Sequence, residues 1–133
     1  MPLFRIDVYE DFPSKNIKKI LDIIHYNAVE CFKVPSRDRY QIITRHKSDE
    51  IIFEDTGLGF ERTKNIISIQ IFSRKRKKEM KLDFYKKVVE DLNKELNINR
   101  TDIMFSFFEN GDEDWSFANG EAQFITGELK WVG

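Results

Sequence analysis

The feature that most constrains this chain is a repeat of spacing. Residues 3–9 alternate Phe4, Ile6 and Val8 against more polar neighbours, the period-two pattern of a half-buried strand. Pro13-Ser14 then breaks the strand and offers Ser14 as a helix N-cap. Over 15–32, Ile17, Leu21, Ile24, Ala28 and Cys31 recur at steps of three and four, which is one face of an amphipathic helix. Pro35 stops it, and 37–46 reads as a second strand, with a further short strand expected at 50–53. The order then recurs. Residues 65–73 place Ile67, Ile69 and Ile71 on one strand face, 77–96 carry Met80, Phe84, Val88, Leu92 and Leu96 along a helical stripe, and 101–109 form a strand. Helix starts at 14 and 77 and strand starts at 38 and 101 are both 63 residues apart. The chain is therefore an α+β protein built from two β-α-β units, with repeats at roughly 2–64 and 65–110. Side chains barely match between the copies, so the repeat is architectural.

A chain of 133 residues holds one domain, 1–133, and can bury a real core. Twelve phenylalanines favour such a core, while 34% charged residues keep the surface wet. A net charge of −1 argues against general attraction to nucleic acid or membranes. No signal sequence and no bilayer-spanning apolar run are evident, and the single cysteine, Cys31, fits a reducing cytoplasm. Cys31 lies on the apolar helix face and reads as a packed thiol. His25, His46 and Cys31 lack metal-ligand spacing, so neither metal nor cofactor is expected.

The chemistry points to the start of the chain. Removal of Met1 leaves Pro2 as a secondary amine at the head of an apolar strand, able to act as base, acid or nucleophile. A right-handed β-α-β crossover starts both of its strands at one sheet edge, which brings Asp38 near Pro2. If the two repeats share a sheet through antiparallel first strands, the tail of 65–73 also reaches that edge. There stand Arg74 and Arg76, two apart on one face of a continuing strand. An amine, a carboxylate and two guanidiniums could hold a small carboxylate substrate and move protons beside it. Each has a plainer account. Residues 73–78 form a basic run of the kind that is ordinarily solvated, though it opposes the dipole of the helix it opens. Asp38 could equally pair with Arg37 or Arg39.

Beyond 110 the residues 111–133 read as a hairpin and tail. Asn119-Gly120 is a type I′ turn signal. Pairing outward sets Phe117 against Ala122 and Trp115 against Phe124, making Trp115, Phe117 and Phe124 one aromatic surface while Ser116 and Gln123 face away.

Pro2, Val34-Pro35-x-x-Asp38-Arg39-Tyr40-Gln41, Glu54-Asp55-Thr56-Gly57-Leu58-Gly59, Ser73-Arg74-x-Arg76 and Asp114-Trp115-Ser116-Phe117 together resemble the tautomerase superfamily, most of all its malonate semialdehyde decarboxylase-like branch. The similarity runs over nearly the whole chain in order. It implies a mixed four-stranded sheet with two helices on one face, assembled as a homotrimer. It implies Pro2 as catalytic amine, Asp38 as the carboxylate that orients or activates water, Arg74 and Arg76 as the substrate-carboxylate clamp, and Trp115, Phe117 and Phe124 as an apolar substrate-binding wall. The chain departs from that pattern at Lys75, where a proline is usual, at Ala118, where glycine is common, and at Asp11-Phe12-Pro13.

The resulting expectation is decarboxylation or hydration of a 3-oxo acid such as malonate semialdehyde, with Pro2 mainly protonated because Asp38 offsets the arginines. Keto–enol tautomerisation of a 2-oxo acid such as phenylpyruvate, with Pro2 neutral, is the alternative on the same scaffold. A non-catalytic trimeric binding protein is the third. Asp55-Thr56-Gly57 matches the short motif of aspartic proteases, but that chemistry needs two aspartates sharing a proton, and the run is read as a structural loop. Apolar residues on both strand alternations, Ile42 beside Ile43 and Ile66 beside Ile67, leave a sheet face that calls for a partner subunit.

Overall fold

The computed structural model describes residues 1–130. The last three residues of the expected tail, 131–133, lie outside the described residues. Four strands, β1 (Leu3–Tyr9), β2 (Tyr40–His46), β3 (Ile67–Arg74) and β4 (Ile103–Asn110), make one sheet in the order β2-β1-β3-β4. The helices α1 (Ser14–Phe32) and α2 (Lys78–Leu96) connect β1 to β2 and β3 to β4. Pairing is parallel within each β-α-β unit and antiparallel between β1 and β3. The two-unit architecture is thus realised, and corresponding first strands begin 64 residues apart, at 3 and 67.

Alternation decides which face the helices cover. Phe4, Ile6 and Val8 of β1 and Ile67, Ile69 and Ile71 of β3 are buried beneath them. Ile20, Ile24 and Ala28 of α1 and Phe84, Val88 and Leu92 of α2 fill the space above. Phe84 sits at the centre, its ring 5.8 Å from Phe4, 4.8 Å from Phe32 and 5.9 Å from Phe105. The opposite face carries Leu3, Tyr40, Ile42, Phe72, Met104 and Phe108. Four of these, Tyr40, Ile42, Met104 and Phe108, are exposed in the single chain.

Three expectations are corrected. No strand forms at 50–53; the segment pairs with neither sheet edge and runs as a loop. Ser14 is not the N-cap. Pro13 holds that position without a side-chain cap, and the Ser14 hydroxyl accepts instead from Arg45 Nη2 at 3.0 Å. The C-terminal hairpin is reduced to a single bridge, Ala118 to Glu121, around its turn. Asn119 and Gly120 do take φ of 62° and 69°, the left-handed pair that such a turn requires. Beyond it, however, Gln123–Thr126 is a helical turn, α3. The buried Gln123 side chain accepts from Phe117 N–H at 2.9 Å and donates to the Ala118 carbonyl at 2.8 Å. One side chain thereby satisfies backbone groups that a second strand would otherwise have paired.

Phe84 is fully buried and touches both layers, so Phe84→Ala is expected to cost about 3–5 kcal/mol in urea unfolding. Ile125 is 63% exposed, and Ile125→Ser should stay within about 0.5 kcal/mol.

Candidate active site

Register brings the predicted residues together. Leu3 pairs with Tyr40 on one side and with Phe72 on the other, so two residues earlier the chain start lies beside Asp38 and the end of β3. Pro2 is buried at this edge, and Met1, present here, is buried in front of it. The Met1 amine contacts Asp38 Oδ2 directly. In this form the Pro2 nitrogen is an amide, and the Met1 nitrogen marks where a terminal amine meets the carboxylate. Asp38 is held in place by its own backbone, whose N–H donates to the Pro35 carbonyl at 3.0 Å. His25 of α1 steadies the same turn by donating from Nε2 to the Ser36 carbonyl at 2.8 Å.

The basic run from Arg74 to Lys78 divides by burial. Lys75, Lys77 and Lys78 are exposed, while Arg74 and Arg76 are buried. Arg76 donates from Nη2 to the Met1 carbonyl at 2.7 Å, from Nε to Ser73 Oγ at 3.0 Å and from Nη1 to the Phe32 carbonyl at 3.4 Å. Arg74 turns toward the C-terminal segment. Its Nη1 donates to Asp112 Oδ1 at 2.5 Å, and its guanidinium lies 3.8 Å from the centre of the Phe124 ring. The two guanidiniums thus have different neighbours among the described residues, though both act on the terminal amine. Arg76 reaches the chain start, and Arg74 anchors the aromatic wall.

That wall exists although the hairpin does not. Trp115 and Phe117 stack at 5.6 Å, and Phe124 meets Phe117 edge-on at 5.6 Å. Trp115 is oriented by donating from Nε1 to Asn110 Oδ1 at 2.7 Å. Tyr40, which sequence reasoning placed in a motif but gave no role, stacks on Phe117 at 5.7 Å. Val34, Pro35, Asp38, Tyr40, Phe117 and Phe124 line a cavity of about 270 Å³ that opens in front of Met1. Asp112 and Tyr40 were missed because each matters through a neighbour brought close only by the fold. A wider groove of about 1090 Å³ runs between α1 and α2, but it is open, far more polar in its side chains, and remote from the amine.

Electrostatics oppose charge on the terminal nitrogen. Burial first, then Arg76 and Arg74, push the Met1 amine down from 8.0 to about 5. At neutral pH it is therefore an uncharged donor to the Asp38 carboxylate. Contact with Asp38 does not outweigh burial for the Met1 amine. Burial and Arg74 likewise lower Arg76 to about 10, which still leaves it cationic. The Asp55 carboxylate is occupied by Gly57 and Gly59 N–H groups at 3.1 and 2.8 Å, as a structural loop requires. Among the described residues no three His, Cys, Asp or Glu side chains group to hold a metal, and no helix is long and apolar enough to cross a membrane.

A family model described as tautomerase enzyme matches residues 38–118, well over half of the chain. The chain belongs to the tautomerase family. It is 47% identical over 129 residues to the probable tautomerase YrdN of Bacillus subtilis (strain 168), covering 97% of this chain and 100% of that one. A solved malonate semialdehyde decarboxylase, described with decarboxylase and hydratase activities, superposes with a TM-score of 0.92 at 38% identity. That match covers 96% of this chain and 99% of the other. A second malonate semialdehyde decarboxylase, inhibited by 3-bromopropiolate, gives a TM-score of 0.92 at 37% identity over 98% and 99% of the two chains.

In the chain that retains Met1, NMR titration of the amine should give a midpoint near 5, moving upward in Arg76→Gln as a positive charge is removed. The unfolded amine titrates near 8.0, so between these values the unfolded chain binds the extra proton. This group's contribution to stability should therefore decline as pH falls from 8 towards 5. A midpoint left at 8 would overturn the electrostatic assignment.

Proposed function

We propose that the chain, once Met1 is removed, decarboxylates or hydrates a small 3-oxo acid such as malonate semialdehyde. The reading is carried by one observation. The terminal nitrogen, the Asp38 carboxylate and an Arg76 N–H converge at the floor of an aromatic-lined cavity. Arg76 Nη2 holds the Met1 carbonyl oxygen, so in its absence a substrate carboxylate oxygen can take the same donor. Phe117 and Phe124 line the adjoining cavity, with Trp115 stacked behind Phe117, and such apolar surroundings favour loss of the carboxylate as neutral carbon dioxide. In decarboxylation the bond from the carboxylate carbon to its neighbour breaks. Its electron pair passes into the adjacent carbonyl, and protonated Pro2 stabilises the developing oxyanion. Proton return to carbon releases the aldehyde. In hydration Asp38 orients the attacking water. Likeness to malonate semialdehyde decarboxylase over nearly the whole chain supports this reaction class.

A specific observation favours a second reading. The field that pushes the Met1 amine down to about 5 also acts on a Pro2 amine, and a neutral amine is the base that keto–enol tautomerisation of a 2-oxo acid such as phenylpyruvate requires. Substrate carboxylate beside Arg76 acts in the opposite sense by neutralising the guanidinium, so the bound state decides between the two.

We also infer a homotrimer closed over the uncovered sheet face. Ile42, Met104 and Phe108 are exposed there, and Phe72 stacks on Phe108 at 4.8 Å, forming an apolar surface that a second subunit can cover. Sedimentation should show a trimer at micromolar concentration, and a stable monomer would contradict it.

Protein lacking Met1 should release carbon dioxide from malonate semialdehyde. Pro2→Ala and Arg76→Ala should each lower kcat/KM by about 100-fold or more. Turnover surviving both changes refutes the assignment. If the Pro2 nitrogen titrates below 7 with substrate analogue bound, and phenylpyruvate enol is consumed instead, the second reading replaces the first.

A further inference from the structure

We propose that the substrate carries a second anionic group, held at the mouth of the cavity by Lys33, Arg37 and Lys130. This rests on the reading of Arg76 as partner of the inner carboxylate.

The three cations come from separate segments and line the same cavity as Asp38 and the aromatic rings. Lys33 is the residue that ends α1, with φ of 57°, Arg37 lies in the turn that presents Asp38, and Lys130 follows α3. Neighbouring basic residues find acids. Arg39 pairs with Asp22 at 2.8 Å, and Lys18 pairs with the same carboxylate at 2.7 Å. Among the described residues, Lys33, Arg37 and Lys130 form no ion pair. Among the described residues Asp38 is the only acid lining the cavity, and it is engaged by the terminal amine. In a chain of 22 basic and 23 acidic residues, three cations around one small opening, with no ion pair among the described residues, are a local excess of positive charge.

Size points the same way. The cavity of about 270 Å³ lies in front of Met1, outside the space Met1 itself fills. At roughly 30 Å³ per water it is about nine water volumes, all beyond the position of the Arg76-bound carbonyl. A three-carbon oxo acid held at Arg76 leaves this region to solvent. A longer acid spans it, laying its middle against Tyr40 and Phe117 and its far end among the cations. The ligand class is therefore a short dianion, either a dicarboxylate or a phosphorylated acid.

The test is calorimetric titration of the Met1-free protein with glutarate and with its monomethyl ester, which removes one charge while keeping the carbon chain. Glutarate should bind at least about tenfold more tightly at low salt. The triple variant Lys33→Gln, Arg37→Gln, Lys130→Gln should abolish that preference and leave ester binding unchanged, which also reports an intact fold. Equal affinities, a preference that survives the triple change, or no glutarate binding at millimolar concentration would overturn the proposal. A third probe, 4-phosphonobutyrate, separates the two sources: tighter binding than glutarate marks a phosphoryl group, weaker binding a carboxylate. Arg76→Gln should weaken glutarate and ester by the same factor. If it changes neither, while the glutarate preference still follows the mouth residues, the inner-carboxylate assignment fails and the outer one stands.

Discussion

The structure depends on a buried guanidinium. Arg76 binds the Met1 carbonyl ahead of β1, Ser73 near the end of β3 and the Phe32 carbonyl at the last residue of α1, and it lies 5.4 Å from the Phe32 ring. Three segments far apart in sequence are tied to one cation. Removing a guanidinium from water is costly unless its donors are met, and among the described residues two backbone carbonyls and a hydroxyl accept from Arg76, which burial and Arg74 lower only to about 10. That leaves a permanent positive centre under the chain start. Such a centre attracts an anion and lowers the proton affinity of an amine in one stroke, so the two effects cannot be tuned independently.

Around that centre the two repeats are used unequally. The first supplies the chain start and Asp38, both at the same end of parallel strands. The second supplies Arg74 and Arg76 through the antiparallel β1–β3 contact, which turns its strand tail toward the first repeat's strand head. Had β1 and β3 paired in parallel, amine and arginines would sit at opposite ends of the sheet. The single antiparallel seam in an otherwise parallel sheet is what makes a site of two copies that lack matching side chains.

The fold was legible because period and spacing report it directly. Strand alternation, helical stripes and the 63-residue offset each depend only on local geometry. Pro2, Asp38 and Arg76 were legible as a cluster because sheet edges follow from the crossover rule. Other features could not be read this way. Asn119-Gly120 announces a turn but not how far the flanking arms pair, and it was Gln123, expected only to face away from the aromatic surface, that took over the backbone groups. Arg74 and Arg76 look alike in sequence. Only tertiary context separates the one held by Asp112 from the one beside Met1.

The substitution of one glutamine side chain for a strand has a consequence for how the molecule opens. A hairpin arm laddered into a sheet melts with it, whereas residues 115–126 are held internally by a side-chain bracket and one bridge and meet the sheet through the Tyr40 and Arg74 ring contacts and the Trp115–Asn110 bond. The aromatic wall is thus a foldon of its own, able to come away at a free energy below that of global unfolding. The central strands retain protection from exchange while it does so. Selection can therefore reshape the aromatic wall without renegotiating the register of the sheet.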